Sequence, residues 1–253
     1  MFDNLKIVYH QGKQFIPDVT TAKVPGIFRG RPVISSEEVN ETELVDLCPV
    51  GAISAGPVSI DLGKCTFCGE CARRFPNKIR FTTDYKISTN ERSRLIVKEG
   101  DDHAVEVNPE TVRKEIHRVF GKSLKLRSVS AGGDGSCEWE LNAANNVQFD
   151  MSRFGIEFVA SPRHADGIVI TGPMTENMAR SVQICYDAIP EPKIIVLVGT
   201  DAISGGIIGS SSAIDRSLLD KYPVDLYIAG NPAHPLTIVN GLLDLTRKRK
   251  AKK

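Results

Sequence analysis

Four of the six cysteines in this chain lie in one short stretch, and their spacing limits what the chain can fold around. The stretch spans residues 48–76 and reads CPVGAISAGPVSIDLGKCTFCGECARRFP. Cys65, Cys68 and Cys71 form a C-x2-C-x2-C run, and Cys48 stands seventeen residues before Cys65 and is followed by proline. Three thiols at steps of three, together with a distant Cys-Pro, are typical of ligands for an iron-sulfur cluster.

The pattern resembles a two-cluster bacterial ferredoxin that has lost one of its clusters. In those proteins each C-x2-C-x2-C-x3-C-P run gives three ligands to one cluster and its fourth cysteine to the other. Cys48 matches such a fourth cysteine, and four matching positions lack a thiol: Glu38, Glu41, Leu44 and Phe75. These four would be the complete ligand set of the second cluster. The sequence therefore predicts one 4Fe-4S cluster, bound by Cys48, Cys65, Cys68 and Cys71.

A structural zinc site and disulfide bonds are the alternatives for these cysteines. Zinc sites commonly use two separated C-x2-C pairs rather than three cysteines at steps of three. No signal peptide opens the sequence, so we expect a cytoplasmic protein whose thiols stay reduced. Glu38 and Glu41 are expected on a solvated helical turn capped by Ser35, because iron-sulfur sites prefer thiolate to carboxylate ligands.

Composition describes an ordinary globular chain with room for one fair-sized domain and a small one. The 253 residues are 41% hydrophobic and 25% charged, and no apolar run approaches the roughly 18 residues of a membrane span. Net charge is +1, but the tail 247–253 carries six positive charges, so the rest of the chain carries −5. An acidic body argues against a nucleic-acid-binding core. We expect the basic tail to be solvated, with an acidic partner or lipid headgroups as the alternative.

Turn-forming residues and hydrophobic runs divide the chain into four parts. Residues 1–32 are predicted to be an N-terminal arm, with a short strand over Leu5–Tyr9. Residues 33–105 are predicted to be a small α+β ferredoxin-like domain, in which 80–87 and 93–98 form a hairpin. Residues 106–246 form the large domain, which opens with a helix near Pro109, and 247–253 are the tail.

The large domain is predicted to be α/β with a mostly parallel sheet. Short β-branched runs alternate with helical segments, and this alternation indicates a parallel sheet covered by helices on both sides. Loops at the carboxyl ends of such strands are where sites are built. The predicted strands are 124–129, 156–160, 167–171, 194–198 and 224–228, and the predicted helices are 138–146, 176–188, 213–221 and 235–247.

Several segments of this domain resemble a known family of subunits. GSCEWEL, FGIEFVASPRHADGIVITGPMT, PKIIVLVGTDAISGGI and VDLYIAGNPAHP are similar to the cluster-carrying small subunit shared by complex I and the group 4 membrane-linked nickel-iron hydrogenases, closest to the formate hydrogenlyase type. The resemblance covers about 123–245 and implies a flavodoxin-like fold. It also implies a cluster held by four loop cysteines near the large subunit, and the preceding domain resembles the ferredoxin-like subunit of the same complexes.

Most of the ligands implied by that resemblance are missing. The four matching positions are Asp134, Cys137, Asp201 and Asn231, so one thiol remains beside two carboxylates and an amide. These are poor ligands for a cubane cluster. We therefore expect the cluster that the resemblance implies near the large subunit to be absent. A hard cation such as magnesium is the alternative occupant. Cys185 lies in a predicted helix and is expected to pack in the core.

Taken together, these features predict an iron-sulfur electron-transfer subunit of a multisubunit oxidoreductase. The resemblance implies a hydrogenase or complex I type large subunit as partner, and membrane subunits through which the chain reaches the cytoplasmic face of the membrane. The alternative is a docking subunit that has lost the cluster near the large subunit. No catalytic residues are predicted, and the glycines Gly205 and Gly206 do not form a nucleotide-binding loop.

Overall fold

The computed structural model describes residues 2–12 and 14–247. The strands are β1 (Pro32–Ile34), β2 (Ile53–Ser54), β3 (Ser59–Asp61), β4 (Ile79–Phe81), β5 (Ser88–Thr89), β6 (Ile96–Lys98), β7 (Leu124–Ser130), β8 (Ile156–Phe158), β9 (Gly167–Thr171), β10 (Ile194–Val198) and β11 (Leu226–Ile228). The α-helices are α1 (Phe2–Gln11), α2 (Glu41–Asp46), α3 (Glu70–Arg74), α4 (Lys114–Phe120), α5 (Ser136–Ala144), α6 (Glu176–Asp187), α7 (Thr200–Ser204), α8 (Ser217–Lys221) and α9 (Pro235–Thr246).

A mostly parallel sheet organises the second half of the molecule. In the described part of the chain it has six strands in the order β5-β11-β10-β9-β7-β8, and only β5 runs antiparallel to its neighbour. Every residue of β9 and β10 is buried, as expected for central strands covered on both faces. The predicted α/β class with a mostly parallel, flavodoxin-like sheet is confirmed.

Helix α9 is the most deeply buried of the helices that cover this sheet. Proline at its first position suits the start of a helix, and the Nδ1 atom of His234 caps the helix by accepting a hydrogen bond from the Leu236 N–H at 3.1 Å. The buried Asn240 amide donates to the carbonyl of Val19 at 2.9 Å. The helix therefore also fastens the N-terminal arm to the body of the protein.

The cysteine-bearing segment folds as a small unit that packs directly on the large sheet. It contains an antiparallel sheet of β2, β3 and β6 and a separate β1-β4 pair. One continuous hydrophobic core joins the two parts, because Leu44 and Ile60 belong to the same buried cluster as Ile168 and Leu197. Strand β5 precedes residue 105 in the chain but lies at the edge of the large sheet. The boundary near residue 105 stays a prediction, and contacts across it are extensive.

Three local predictions were wrong. The strand expected over Leu5–Tyr9 is part of helix α1, which satisfies its own backbone hydrogen bonds where an unpaired strand would leave them open. The expected hairpin does not form among the described strands, because β4 pairs with β1 and β6 pairs with β3. The helix expected after Ser35 begins only at Glu41, where the Asn40 side chain accepts from the Glu43 N–H.

Two further expectations concern the membrane and the tail. Within the described residues, no helix is both long and apolar enough to cross a membrane. The basic tail lies outside the described residues except for Arg247, whose guanidinium donates to the carbonyl of Phe154 at 2.5 Å.

Candidate functional site

The backbone of the cysteine stretch is shaped by two tight turns. Cys48 follows helix α2, and Cys65 follows strand β3, where its N–H donates to the carbonyl of Asp61 at 2.9 Å. Gly69 has a φ of +78° immediately before helix α3, which carries Cys71 in its first turn. A positive φ of this size favours glycine, so the Cys-Gly-Glu-Cys sequence is suited to turning the chain between two cysteines.

All four predicted ligands line one cavity in the small unit. Cys65 and Cys71 are buried, Cys48 is half-buried and Cys68 is exposed. Most of the other residues around the cavity are apolar, with Thr66 and Glu70 as polar members. The apolar side chains lining it are Leu47, Pro49, Val50, Ala52, Ile53, Ile60 and Phe81. The cavity is therefore a thiol-lined site with largely apolar walls, open to solvent on the side of Cys68.

Backbone amides point at two of the sulfur atoms. The Ala52 N–H donates to Cys48 Sγ at 3.3 Å, and the Phe67 N–H donates to Cys65 Sγ at 3.3 Å. Hydrogen bonds of this kind favour the thiolate form that metal clusters require. Phe67 reaches this position with a φ of +54°, which a bulky residue seldom adopts.

Burial acts in the opposite direction on the buried thiols. Loss of solvation, together with the neighbouring cysteines, raises the pKa of Cys65 to about 12 and that of Cys71 to about 11. Four thiolates in this cavity would repel one another without a cation between them. Without a bound cation these two thiols therefore stay protonated at neutral pH, and a positively charged iron-sulfur core would favour their thiolate form.

The spacing of the four cysteines does not suit a single ion. Among residues 2–12 and 14–247, no group of three or more His, Cys, Asp or Glu side chains is placed to hold one metal ion. A zinc ion needs its ligands within about 2.3 Å. A four-iron cluster is a larger body, and its four cysteines surround a cavity. Iron-sulfur ligation by these residues stays a prediction.

The four positions that match ligands of a second ferredoxin cluster have ordinary structural surroundings. Leu44 is fully buried in the core, and Phe75 packs against the same core. The Glu41 carboxylate accepts a hydrogen bond from the Gly56 N–H at 3.0 Å. Glu38 is exposed. Leu44 and Phe75 therefore contribute to packing, and Glu41 stabilises a turn.

The loops at the carboxyl ends of the sheet bring together three of the four residues implied by the family resemblance. Burial, together with the charges of Glu138, Asp201 and Asp134, raises the pKa of Cys137 to about 12, so these carboxylates act on one thiol. Burial, and then Asp134 and Glu138, raise the pKa of Asp201. Asp134 behaves differently, because hydrogen bonds from the Ser136 side chain and N–H lower its pKa.

Asn231, the fourth residue, is not among the groups that shift these pKa values. It lies in the loop after β11 and lines a surface groove together with Arg29 and Cys68. One thiol, two carboxylates and an amide remain a poor ligand set for a cubane cluster. Cys185 lies on α6 and is partly buried against the hydrophobic core, as the sequence predicts.

Three residues that position these loops escaped the sequence analysis. The Thr200 hydroxyl donates to the carbonyl of Cys65 at 3.0 Å, which ties the cysteine stretch to the start of α7. The Arg216 guanidinium donates to the carbonyls of Ala202 and Ile203 at 2.7 and 2.9 Å. Arg29 Nε donates to the carbonyl of Phe67 at 2.5 Å. Each bond joins a side chain to a distant backbone carbonyl, for which local sequence carries no signal.

Fold and site together define a class of protein: an α/β domain with a mostly parallel sheet, on which a cysteine-bearing unit packs. Comparison with known proteins agrees for the α/β domain. A family model described as "NADH ubiquinone oxidoreductase, 20 Kd subunit" matches residues 135–245. The probable membrane-bound hydrogenase subunit mbhJ of Pyrococcus furiosus is 32% identical over 129 residues, which are 51% of this chain and 77% of that subunit.

Subunits B of NADH-quinone oxidoreductases are also similar. The subunit of Clostridium beijerinckii is 42% identical over 113 residues, covering 44% of this chain and 67% of the relative. That of Heliobacterium modesticaldum is 40% identical over 119 residues, covering 47% and 68%. This chain therefore belongs to the family of the NADH ubiquinone oxidoreductase 20 Kd subunit, as the resemblance in its sequence predicts. The family match does not include the cysteine stretch.

Proposed function

We propose that this chain is an iron-sulfur electron-transfer subunit of a multisubunit oxidoreductase related to complex I and the group 4 nickel-iron hydrogenases. One 4Fe-4S cluster would be held by Cys48, Cys65, Cys68 and Cys71. The observation that carries the proposal is that these four residues, and no other cysteines, line a single cavity with largely apolar walls. Backbone N–H groups directed at Cys48 and Cys65 support it.

When bound, such a cluster takes up and gives off single electrons. The residues of this chain hold and insulate it. Apolar walls exclude water around three of the cysteines, and burial together with N–H bonds to sulfur tunes the potential of the group that they bind. The Thr200 hydroxyl fixes the Cys65 carbonyl, so the cysteine stretch is held against the family domain rather than on a flexible linker.

The partners follow from family membership. The relatives are named as subunits of a membrane-bound hydrogenase and of NADH-quinone oxidoreductases. We propose that this chain likewise binds a large subunit of hydrogenase or complex I type, and that it reaches the cytoplasmic face of a membrane through further subunits. In this arrangement the chain is a non-catalytic subunit, and we propose formate hydrogenlyase as the type of complex.

A docking role for the family domain is the second candidate, and one observation favours it. Trp139, Ile207 and Ile208 are 75%, 74% and 51% exposed beside the loops that carry Cys137 and Asp201. Exposed apolar side chains around a surface that has lost its ligands are typical of a protein interface. In this version the family domain docks a large subunit, while the cluster serves another acceptor or supports the fold.

Iron and acid-labile sulfide per chain, measured on anaerobically purified full-length protein, test the proposal. We expect about four iron atoms and one fast-relaxing EPR signal after reduction with dithionite. About eight iron atoms would show that the loops with Asp134 and Asp201 still hold a cluster. Zinc without iron would overturn the redox function.

The metal ligands of the partner large subunit distinguish an electron-transfer function from a docking role alone. Paired C-x2-C nickel ligands in that subunit would favour electron transfer, because metal chemistry would then need a supply of electrons. A large subunit without them would favour the docking role. Co-purification of the complex followed by nickel analysis gives this answer independently of the iron content of the present chain.

A further inference from the structure

Two surface grooves meet at Cys68, the exposed member of the four cysteines. The first is lined by Arg29, Arg73 and Arg80 together with apolar residues of β4. The second runs between residues 66–68 and the loop at 229–232, and it shares Arg29 and Cys68 with the first. The surface around Cys68 is therefore concave on two sides, and it is the side on which the thiol-lined cavity reaches solvent.

The charge of this surface is positive. None of the described residues that line either groove is acidic, whereas three are arginines. Arg80 is exposed and makes no ion pair among the described residues, and Arg73 is paired with the exposed Glu70. Arg29 uses Nε to hold the Phe67 carbonyl and leaves the rest of its guanidinium at the groove. This patch contrasts with residues 1–246 as a whole, which carry a net charge of −5.

We propose that the surface formed by Arg29, Arg73 and Arg80 around Cys68 docks an electron-carrier protein with acidic residues around its own redox centre. The proposal rests on the proposed function, since a redox group at the four cysteines gives a contact at Cys68 its purpose. A one-electron exchange across such a contact oxidises one protein and reduces the other. No bond forms and no proton is required.

Charge complementarity selects this occupant. Positive charges around a concave surface accelerate the approach of a partner of opposite charge by 10-fold or more at low salt, and the acceleration falls as salt screens it. The positive residues surround Cys68, so the attraction brings the partner to the solvent side of the cysteine site. An extended polyanion or a lipid surface would be repelled by the acidic remainder of the chain, whereas a small acidic protein contacts only the patch.

The test measures binding of a chemically reduced acidic [2Fe-2S] ferredoxin to the full-length protein by stopped flow. We expect the association rate to fall about 10-fold between 50 and 500 mM salt. Arg80→Glu and Arg73→Glu should each lower the rate about 10-fold at low salt and have little effect at high salt. Glu70→Gln should raise it, because that change unmasks Arg73.

Arg118→Glu is the matched control. It makes the same change of charge at an exposed position on α4 that lines neither groove, so we expect an association rate within about twofold of the wild type. A basic cytochrome c of similar size serves as the second probe. Its association should be slow at low salt, and Arg80→Glu should accelerate it.

Iron content, measured first on every variant, separates the two levels of the proposal. If iron is retained but Arg80→Glu and Arg118→Glu have equal effects, the docking surface is wrong while the proposed function stands. Absence of iron from the wild type would overturn the proposed function and the inference with it. Binding to phosphatidylserine vesicles that Arg80→Glu abolishes, without ferredoxin binding, would assign the patch to a membrane and overturn the inference.

Discussion

Two regions of this molecule use the same backbone turn with different side chains. Cys68-Gly69-Glu70-Cys71 and Asp134-Gly135-Ser136-Cys137 share one spacing. In both, a glycine with positive φ, +78° at Gly69 and +84° at Gly135, precedes a helix whose first turn carries a cysteine. The two cysteines of the first region line a cavity with two others, Cys48 and Cys65, and the second region has one thiol among carboxylates. A turn suited to ligands therefore persists where the ligands themselves have changed.

The residues around the cysteines of each region explain what that region can bind. Around Cys65 and Cys71 the walls are largely apolar, and the charges that raise the pKa of each thiol are those of other cysteines. Around Cys137 the nearest charges are Glu138 and Asp201. Soft iron-sulfur clusters prefer the first environment. Thiol number and local charge, rather than backbone shape, therefore distinguish the two regions.

The largest expected effect is the loss of iron from Cys68→Ser. Serine is a poor ligand for iron-sulfur clusters, so iron should fall from about four atoms per chain to below about one. The circular dichroism spectrum of the folded chain should change little, because Cys68 is exposed and contributes little to the core. Iron analysis and visible absorption check this prediction.

Cys137→Ser is the matched change in the other region and should leave iron and visible absorption unaltered. Loss of iron from this variant would contradict the distinction between the two regions. It would show that the sheet-edge loops take part in metal binding through the one thiol that they retain.

The next effect is a gain of iron when thiols are restored to the second region. Asp134→Cys, Asp201→Cys and Asn231→Cys, combined with the native Cys137, supply four thiols at the family positions. We expect iron to rise from about four to about eight atoms per chain after anaerobic reconstitution. The same triple substitution with Cys137→Ala is the control and should remain near four. An unchanged iron content in the triple variant would mean that the loops have lost the geometry as well as the ligands.

A third effect concerns the close approach of Gly199 to Cys137. Gly199 has a φ of +90°, and a methyl group there would overlap the Cys137 Sγ. Gly199→Ala should lower the free energy of unfolding by about 3 kcal/mol, from backbone strain and overpacking together. Gly135 has a similar φ of +84°, but a methyl group there would make only an ordinary contact with Trp139. Gly135→Ala should therefore lower the free energy of unfolding by about 1 kcal/mol. Urea denaturation of both variants measures the difference, and equal values would exclude the steric contribution.

Much of the fold could be predicted because its signals are local. Strands β9 and β10 have the predicted bounds, since each is an uninterrupted apolar run. Helix α9 begins at the predicted proline. Helix α1 was missed because its apolar residues suit a strand equally well. The choice between helix and strand depends on whether a pairing partner is present, and the local sequence does not show this. The attachment of β5 to β11 was missed because the partners are about 140 residues apart, and neither is marked by its neighbours.

For the candidate site, the sequence predicted which cysteines lie together. It did not predict the residues that surround them. Spacing alone grouped the four cysteines, which line one cavity. Four separate segments supply the arginines around Cys68 and the Thr200 hydroxyl that donates to the Cys65 carbonyl. Such contacts depend on how the small unit packs on the large sheet, and hydrophobic periodicity does not encode that packing.

The smallest effect distinguishes two carboxylates by their pH dependence. Burial and the charges of Asp134 and Glu138 raise the pKa of Asp201, so its ionised form destabilises the fold at pH values above the raised pKa. The penalty fades as pH falls through that pKa and is absent below the ordinary value of 3.8. Asp201→Asn should therefore raise Tm by about 1–2 °C at pH 7.5, or about 0.5 kcal/mol after allowance for solvent screening. The gain should disappear near pH 3.5.

Asp215 gives the opposite sign and serves as the control for that measurement. Hydrogen bonds from the Ser217 N–H and hydroxyl lower the pKa of Asp215, so its ionised form stabilises the fold above the ordinary pKa and the benefit is lost as pH falls through the lowered one. Asp215→Asn should lower Tm at pH 7.5, while Asp201→Asn raises it. If both substitutions lower Tm at that pH, the charge on Asp201 has a favourable partner, and the sheet-edge loops hold a cation after all.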